Sequence, residues 1–248
     1  MKRRLLLLTL FTITLIILFT ACQNEKNLKE LRVGVSSNLY PFNYIDSLGV
    51  EAGFEIDMVN QFCKKYHFKP VFTQNTIPHL LTDLKEEKLD LVISSLSATT
   101  SRKVAFNYSN AYYNGNQALI GSDGSTLKIK NLEQAAKYKI GVLVGSSGEF
   151  LVEKQLLEKG LIKADKISKA RNITSLLDLL EENKVDLILM DKTIAEVKKL
   201  NILTNTKTDE EFCVLMPLES SYKTRINRFL KKYLKSNEYN EAIQHYFN

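Results

Sequence analysis

A unit that occurs twice constrains this chain more than any other feature. Asp83-Leu-Lys-Glu-Glu-Lys-Leu-Asp-Leu-Val-Ile93 returns as Asp178-Leu-Leu-Glu-Glu-Asn-Lys-Val-Asp-Leu-Ile-Leu-Met190, with one residue inserted. In each copy the first half reads as a helix and the second as a short, apolar, buried strand. Helix-to-strand units of this kind build parallel sheets covered on both faces. The two strands are followed by different chemistry. After Ile93 comes a run of hydroxyls, Ser94, Ser95, Ser97, Thr99, Thr100 and Ser101, closed by Arg102, whereas Met190 is followed by Asp191. Open α/β sheets hold ligands just beyond the carboxyl ends of their strands. One strand end therefore offers a cation and the other an anion.

The rest of the chain repeats the pattern around these units. Leu31–Val35 reads as a strand leading into Ser36-Ser-Asn-Leu-Tyr-Pro-Phe-Asn-Tyr44, a loop with three aromatics and a turn-setting proline. Gly53-Phe-Glu-Ile-Asp57 opens a helix with Ile56, Val59, Phe62 or Cys63, and Tyr66 at helical spacing. Strands are expected at 70–73 and 90–93, with a helix at 78–87 between them. A second series follows: a strand at 138–143, the turn Gly145-Ser-Ser-Gly148 into a helix, a helix at 173–183 and a strand at 185–190. Asp191 is placed to cap a helix reaching Leu200. Phe212–Met216 reads as strand, and a final helical pair begins near Ser220. The expected architecture is α/β, with two Rossmann-like lobes joined by two hinge strands. Residues 31–118 and 215–248 would form the first lobe and 119–214 the second. Two crossings make a hinge, and a hinged cleft closes around something small.

The N-terminus reads as a targeting segment. Lys2, Arg3 and Arg4 precede an apolar run from Leu5 to Phe19, then Thr20-Ala21-Cys22. The run is too short for a membrane span and suits a signal-peptide core. Small residues before a cysteine resemble the lipobox of bacterial lipoproteins. Residues 1–22 are thus expected to be a lipoprotein signal peptide with its lipobox cysteine, and Cys22 to carry the lipid. Residues 23–30 read as a polar tether. Loss of the three basic residues lowers the net charge from +6 to +3. The remaining lysines are scattered along helices, and no basic patch interleaves with aromatics, so nucleic acid is not an expected partner.

In this order and spacing the motifs resemble the solute-binding proteins of polar amino-acid ABC transporters, family 3, over residues 31–247. The resemblance implies a type II periplasmic-binding-protein fold and an amino acid held by its α-carboxylate and α-ammonium. It implies a protein lipid-anchored to a bacterial membrane, in the periplasm or at the cell surface, monomeric, and delivering its ligand to ABC permease subunits. By matching position, Arg102, Ser97, Ser146 and Ser147 would hold the ligand carboxylate. Arginine suits that task because its fork meets two oxygens at once, and the Gly145-Ser-Ser turn opens a helix whose free amides favour an anion. Asp191 and the Ser95 carbonyl would hold the ammonium. The side-chain pocket would involve Ser36, Leu39, Tyr40, Phe42, Ile77, Leu143 and Met190. The family usually sandwiches the ligand with aromatics where this chain has Leu39 and Ile77, and often places polar groups where it has Ser36, Leu143 and Met190. That lining suits a less polar or smaller side chain than arginine, lysine or glutamine.

Other chemistry is thin. His67, His79 and His245 show no metal-ligand spacing. Gly145-Ser-Ser-Gly148 is not a nucleophile elbow, and no glycine loop for a phosphate cofactor is present. No metal or cofactor is expected. Cys63 and Cys213 read as two buried thiols rather than a disulfide. Two alternatives share the resemblance. One is an enzyme like the cyclohexadienyl or arogenate dehydratases, for which Glu149 or Asp46 would be the general acid. The other is a ligand-sensing domain.

Overall fold

The structure is a computed structural model that describes residues 28–247 except Ser37, Lys207 and Asp209. The signal segment, Cys22 and most of the tether lie outside the described residues. β1 (Lys29–Val35) leads to the hairpin β2 (Tyr44–Ile45) and β3 (Glu51–Ala52), then α1 (Phe54–Tyr66), β4 (Phe68–Gln74), α2 (Ile77–Lys85) and β5 (Leu91–Val92). α3 (Thr100–Ala105), β6 (Asn107–Tyr108), β7 (Tyr113–Gly115) and β8 (Gln117–Gly121) follow. The second series is α4 (Leu132–Ala135), β9 (Ile140–Leu143), α5 (Ser147–Val152), β10 (Ile167–Ala170), α6 (Ile173–Glu181), β11 (Leu187–Asp191), α7 (Lys192–Val197) and β12 (Ile202–Asn205). β13 (Glu210–Phe212), β14 (Leu215–Met216), α8 (Lys223–Tyr233) and α9 (Asn237–Phe247) complete the chain.

The duplicated unit has become α2–β5 in one lobe and α6–β11 in the other. Each lobe carries a five-stranded sheet, ordered β4-β1-β5-β14-β6 and β10-β9-β11-β8-β12. These orders are the same design. β1 and β9 lie beside their first crossover partners, β4 and β10, and beside the duplicated strands β5 and β11, all parallel. An antiparallel strand follows on the far side, β14 in the first sheet and β8 in the second. Those two strands adjoin the hinge: β8 enters the second lobe and β14 returns to the first.

Strand pairing moves three expected boundaries. β1 begins at Lys29, because Lys29 and Glu30 still find partners in Phe68 and Lys69, so the last two tether residues are strand. Gln117 and Ala118, assigned to the first lobe by sequence, pair with Asp191 and Met190 in the second sheet. The strand expected over 212–216 is two strands. Glu210–Phe212 pairs with β7 in a hinge ribbon, and Leu215 pairs with Val92 in the first sheet. The helix after Asp191 is shorter than expected and stops at Val197, ahead of Lys199 at φ 55°.

The first lobe's core lies between β1, α1 and α8. Leu31, Val33 and Val35 are fully buried, and Ile226, Phe229, Leu230 and Tyr233 form the buried face of α8. The aromatics of the loop after β1 belong to this lobe. Phe42 is fully buried, with ring centroids 5.1 Å from Tyr113, 5.5 Å from Phe212 and 5.2 Å from Phe247. It therefore packs the hinge ribbon onto α9.

The same loop caps α1. The Phe54 and Glu55 amides donate to the Pro41 and Phe42 carbonyls at 3.1 and 2.9 Å. This close approach requires Gly53, which sits at φ 122°, where a Cβ would lie 2.4 Å from the Phe42 oxygen. Gly53→Ala is expected to destabilise the protein by about 3 kcal/mol, a clash added to a strained backbone. A chemical-denaturation midpoint unchanged from wild type would refute this account of the loop.

Candidate functional site

The carboxyl ends of both sheets face the cleft, and the loops there carry the polar groups. At the end of β5 the Ser94 hydroxyl accepts from the Ser36 amide at 2.9 Å, tying the ends of β5 and β1 together. Ser95 follows in the left-handed region, at φ 49°. A non-glycine residue holds that conformation when its surroundings support it. The support is Glu55 of α1, a completely buried carboxylate. It accepts from the Ser95 amide at 2.6 Å and from the Ser95 hydroxyl at 3.1 Å. The Tyr112 hydroxyl and the Asn43 side-chain amide also donate to it. Burial pushes the Glu55 carboxyl above its usual range, and these donors oppose the shift.

Arg102 stands in the first turn of α3, whose N-cap, Thr99, accepts from the Arg102 amide. One terminal nitrogen donates to the Ser97 carbonyl at 2.8 Å, and the other reaches across the cleft to the Gly145 carbonyl. The guanidinium is buried, which lowers its pKa to about 10, while the Glu210 carboxylate works in the opposite direction. A buried cation whose direct partners are neutral carbonyls favours an anion nearby.

The second lobe supplies the facing groups. Gly145 turns at φ 75° after β9. Ser146 caps α5 by accepting from the Glu149 amide at 3.1 Å. The Ser147 hydroxyl crosses the cleft to donate to the Ser97 hydroxyl at 3.1 Å. Asp191 ends β11 and caps α7, one oxygen accepting from the Ile194 amide at 3.0 Å. Its other oxygen is buried with no hydrogen-bond partner. Burial raises the Asp191 carboxyl to about 7; the Ile194 amide and, more weakly, the Thr193 amide and hydroxyl oppose this, and the nearby Glu210 charge adds to it.

These groups surround one cavity of about 40 Å³ between the lobes. Among the residues expected from sequence, Ser95, Ser146, Ser147, Asp191, Leu39, Ile77, Leu143 and Met190 line it. Ser97 and Arg102 lie behind the lining, joined to it through Ser147 and Gly145. Three expected pocket residues are elsewhere. Ser36 is bonded to Ser94. Phe42 is in the core. Tyr40 is 40% exposed and packs edge-on against Tyr44, with centroids 4.9 Å apart. The loop turns between Leu39 and Phe42, so only the aliphatic residue reaches the cavity.

Sequence reasoning missed Gln117, Ile173 and Phe212, which also line the cavity, and Glu210 beside it. Gln117 is the first residue of the strand leaving the first lobe and Glu210 the first of the strand returning, so the two hinge crossings were their only signal. Gln117, like Asp191, has a buried oxygen without a partner. The two acids considered for an enzyme are bound up in structure. Glu149 accepts from the Gly145 amide at 2.6 Å and pairs with Lys169 at 2.7 Å. Asp46 accepts from the Leu48 and Val50 amides in the β2–β3 turn.

Residues 31–248 match the profile of bacterial extracellular solute-binding proteins, family 3. The chain belongs to that family. The lysine/arginine/ornithine-binding periplasmic protein of Escherichia coli K12 is 31% identical over 196 residues, which are 79% of this chain and 72% of that one. The solved structure of an ancestral arginine-binding protein bound to arginine is 27% identical. It superposes with a TM-score of 0.79, covering 88% of this chain and 98% of its own. An ancestral amino acid-binding protein that is a precursor of cyclohexadienyl dehydratase shares the fold, with a TM-score of 0.77 at 21% identity, covering 88% of this chain and 95% of its own. Among the described residues of this solute-binding protein, no helix is long and apolar enough to cross a membrane, and no cluster of three or more His, Cys, Asp or Glu side chains is placed to hold a metal. Cys63 and Cys213 are both buried and unpaired.

Proposed function

We propose that this protein captures a free α-amino acid with a short, neutral side chain and delivers it to an ABC permease. The observation that carries the reading is the unpartnered buried oxygen of Asp191, a residue lining the same cavity as Ser147, behind which lie Ser97 and Arg102. An α-ammonium satisfies that oxygen and an α-carboxylate the Ser147, Ser97 and Arg102 group. The carboxylate would then touch both lobes, so binding favours closure. The choice of side chain follows from the lining. Among the described residues Asp191 is the one ionisable group on the cavity wall, and the ammonium takes it. Leu39, Ile77, Leu143 and Met190 offer a cationic side chain no counter-charge. The E. coli relative's name assigns it basic amino acids; this cavity supports a different ligand.

The remaining features fit an extracytoplasmic receptor. Cys22 would be lipidated, residues 23–28 would tether a monomeric binding protein to the membrane, and the lobes would meet at the β7–β13 ribbon. The reading is a binder rather than an enzyme, because Glu149 and Asp46 are committed to a helix turn and a hairpin. A thermal-shift panel of the twenty amino acids tests it. A ligand that binds only the folded state raises the melting temperature. Alanine, serine, cysteine and valine are expected to give shifts, and arginine and lysine none. A shift with arginine or lysine alone would reverse the side-chain assignment, and silence from all twenty would remove the function.

A further inference from the structure

Glu210 is a buried carboxylate that the ligand-binding account leaves without a task. It lies on β13, the strand returning from the second lobe, and is bonded from both sides. The Ser97 hydroxyl of the first lobe and the Gln117 amide of the second each donate to its Oε2 at 3.1 Å. Ser147 in turn donates to Ser97. These are the hydroxyls assigned above to the ligand carboxylate. We propose that Glu210 is a positioning residue that competes with the ligand's carboxylate for these hydroxyl protons, so that an amino acid binds more tightly once Glu210 has taken up a proton. The proposal rests on the amino-acid reading of the cleft.

The argument is a count of protons and charges. A serine hydroxyl has one proton to donate. While Glu210 is ionised, the Ser97 proton points to it and the Ser147 proton points to Ser97. Ser97 then turns lone pairs toward an incoming carboxylate. A protonated Glu210 donates to Ser97 instead, and the Ser97 proton is released toward the ligand. The proton comes from solvent and remains on Glu210 while the ligand is bound. The charges agree. Arg102 of α3 is the cation facing Glu210 among the described residues, and Asp191 at the start of α7 is a second anion. When the ligand's carboxylate takes Arg102 and its ammonium takes Asp191, Glu210 is left as the anion without a cation until it is neutral. Buried charge without a partner is unfavourable. Burial raises the Glu210 carboxyl above the usual range, and the Gln117 amide, the Ser97 and Ser147 hydroxyls and the Arg102 charge oppose it, in that order.

Asp191 complicates a plain pH profile, because it must be ionised to hold the ammonium and so favours binding at higher pH. A ratio removes its contribution. Titration calorimetry with L-alanine would compare the full protein and Glu210→Gln from pH 5 to pH 8. The glutamine cannot ionise, and its amide N–H can donate to Ser97 as the protonated acid does. It is expected to bind about tenfold more tightly than wild type at pH 8, with the advantage vanishing toward pH 5. If the glutamine variant fails to fold by circular dichroism, Glu210→Ala replaces it and the same pH-dependent ratio is expected. A ratio that stays constant with pH would reduce Glu210 to a structural prop and overturn the proposal. Failure of L-alanine to bind either protein at any pH would instead overturn the reading of the cleft. Binding that is lost in Arg102→Lys while the ratio stays flat would overturn the Glu210 proposal alone.

Discussion

Asp191→Asn is expected to raise the melting temperature of the ligand-free protein at pH 8 while removing its response to amino acids. The Asp191 carboxyl is held near 7 by burial, against an ordinary value of 3.8. A group whose folded pKa is raised contributes stability that is complete below its unfolded value and is lost as pH rises through the folded value. The wild-type protein therefore carries the cost of an ionised, buried, half-partnered carboxylate above about pH 7. Asparagine keeps an oxygen to accept from the Ile194 amide and removes the charge. The displacement corresponds to ~4 kcal/mol at most, and coupling to Glu210 lowers the usable part to about 2 kcal/mol. For a protein of this length that is about 5 °C at pH 8, falling to nothing near pH 4. The same substitution leaves an α-ammonium facing a neutral amide, so the thermal shift with L-alanine should disappear. Melting curves at pH 4 and 8, with and without L-alanine, measure both effects. A variant that still responds to the ligand at pH 8 would place the ammonium elsewhere.

How much of this was legible before the fold follows from where each residue sits. The duplicated unit could be read because its helix and strand halves carry their own apolar patterns, and each copy forms the same pair in the structure, α2–β5 and α6–β11. Asp191 stood out because it directly follows the apolar run of its strand, and Arg102 because it closes the hydroxyl run after the other. The pocket was harder. Leu39, Tyr40 and Phe42 share one turn, and sequence alone does not say which face of a turn points inward. In the fold Leu39 reaches the cavity, Phe42 packs under the hinge ribbon and Tyr40 stays at the surface. Glu210 was invisible for a different reason. It lies in Thr208-Asp-Glu-Glu-Phe212, a stretch whose three consecutive acids give no local sign of burial. It becomes buried only because the returning strand passes beneath Ser97 and Gln117, which lie 113 and 93 residues away along the chain. Local pattern carries no information about a neighbour that distant.

Arg102→Lys should cost at least 100-fold in affinity for L-alanine, about 3 kcal/mol, with little change in unfolding. The guanidinium performs two tasks at once. One nitrogen holds the Ser97 carbonyl at 2.8 Å, and the other bridges to Gly145 on the opposite lobe. Lysine offers one compact ammonium on a flexible stem. It can replace either bond but cannot span both, and it cannot present two parallel donors to a carboxylate. The positive charge remains, so Glu210 keeps a counter-charge and the buried site does not collapse for want of a cation. The loss should therefore appear in binding and closure rather than in folding. Calorimetry gives the first readout. Small-angle scattering gives the second: saturating L-alanine should reduce the radius of gyration of the wild type and leave that of the variant close to its ligand-free value. Wild-type affinity in Arg102→Lys would mean that any cation suffices there, and the fork geometry would have no part in recognising the ligand.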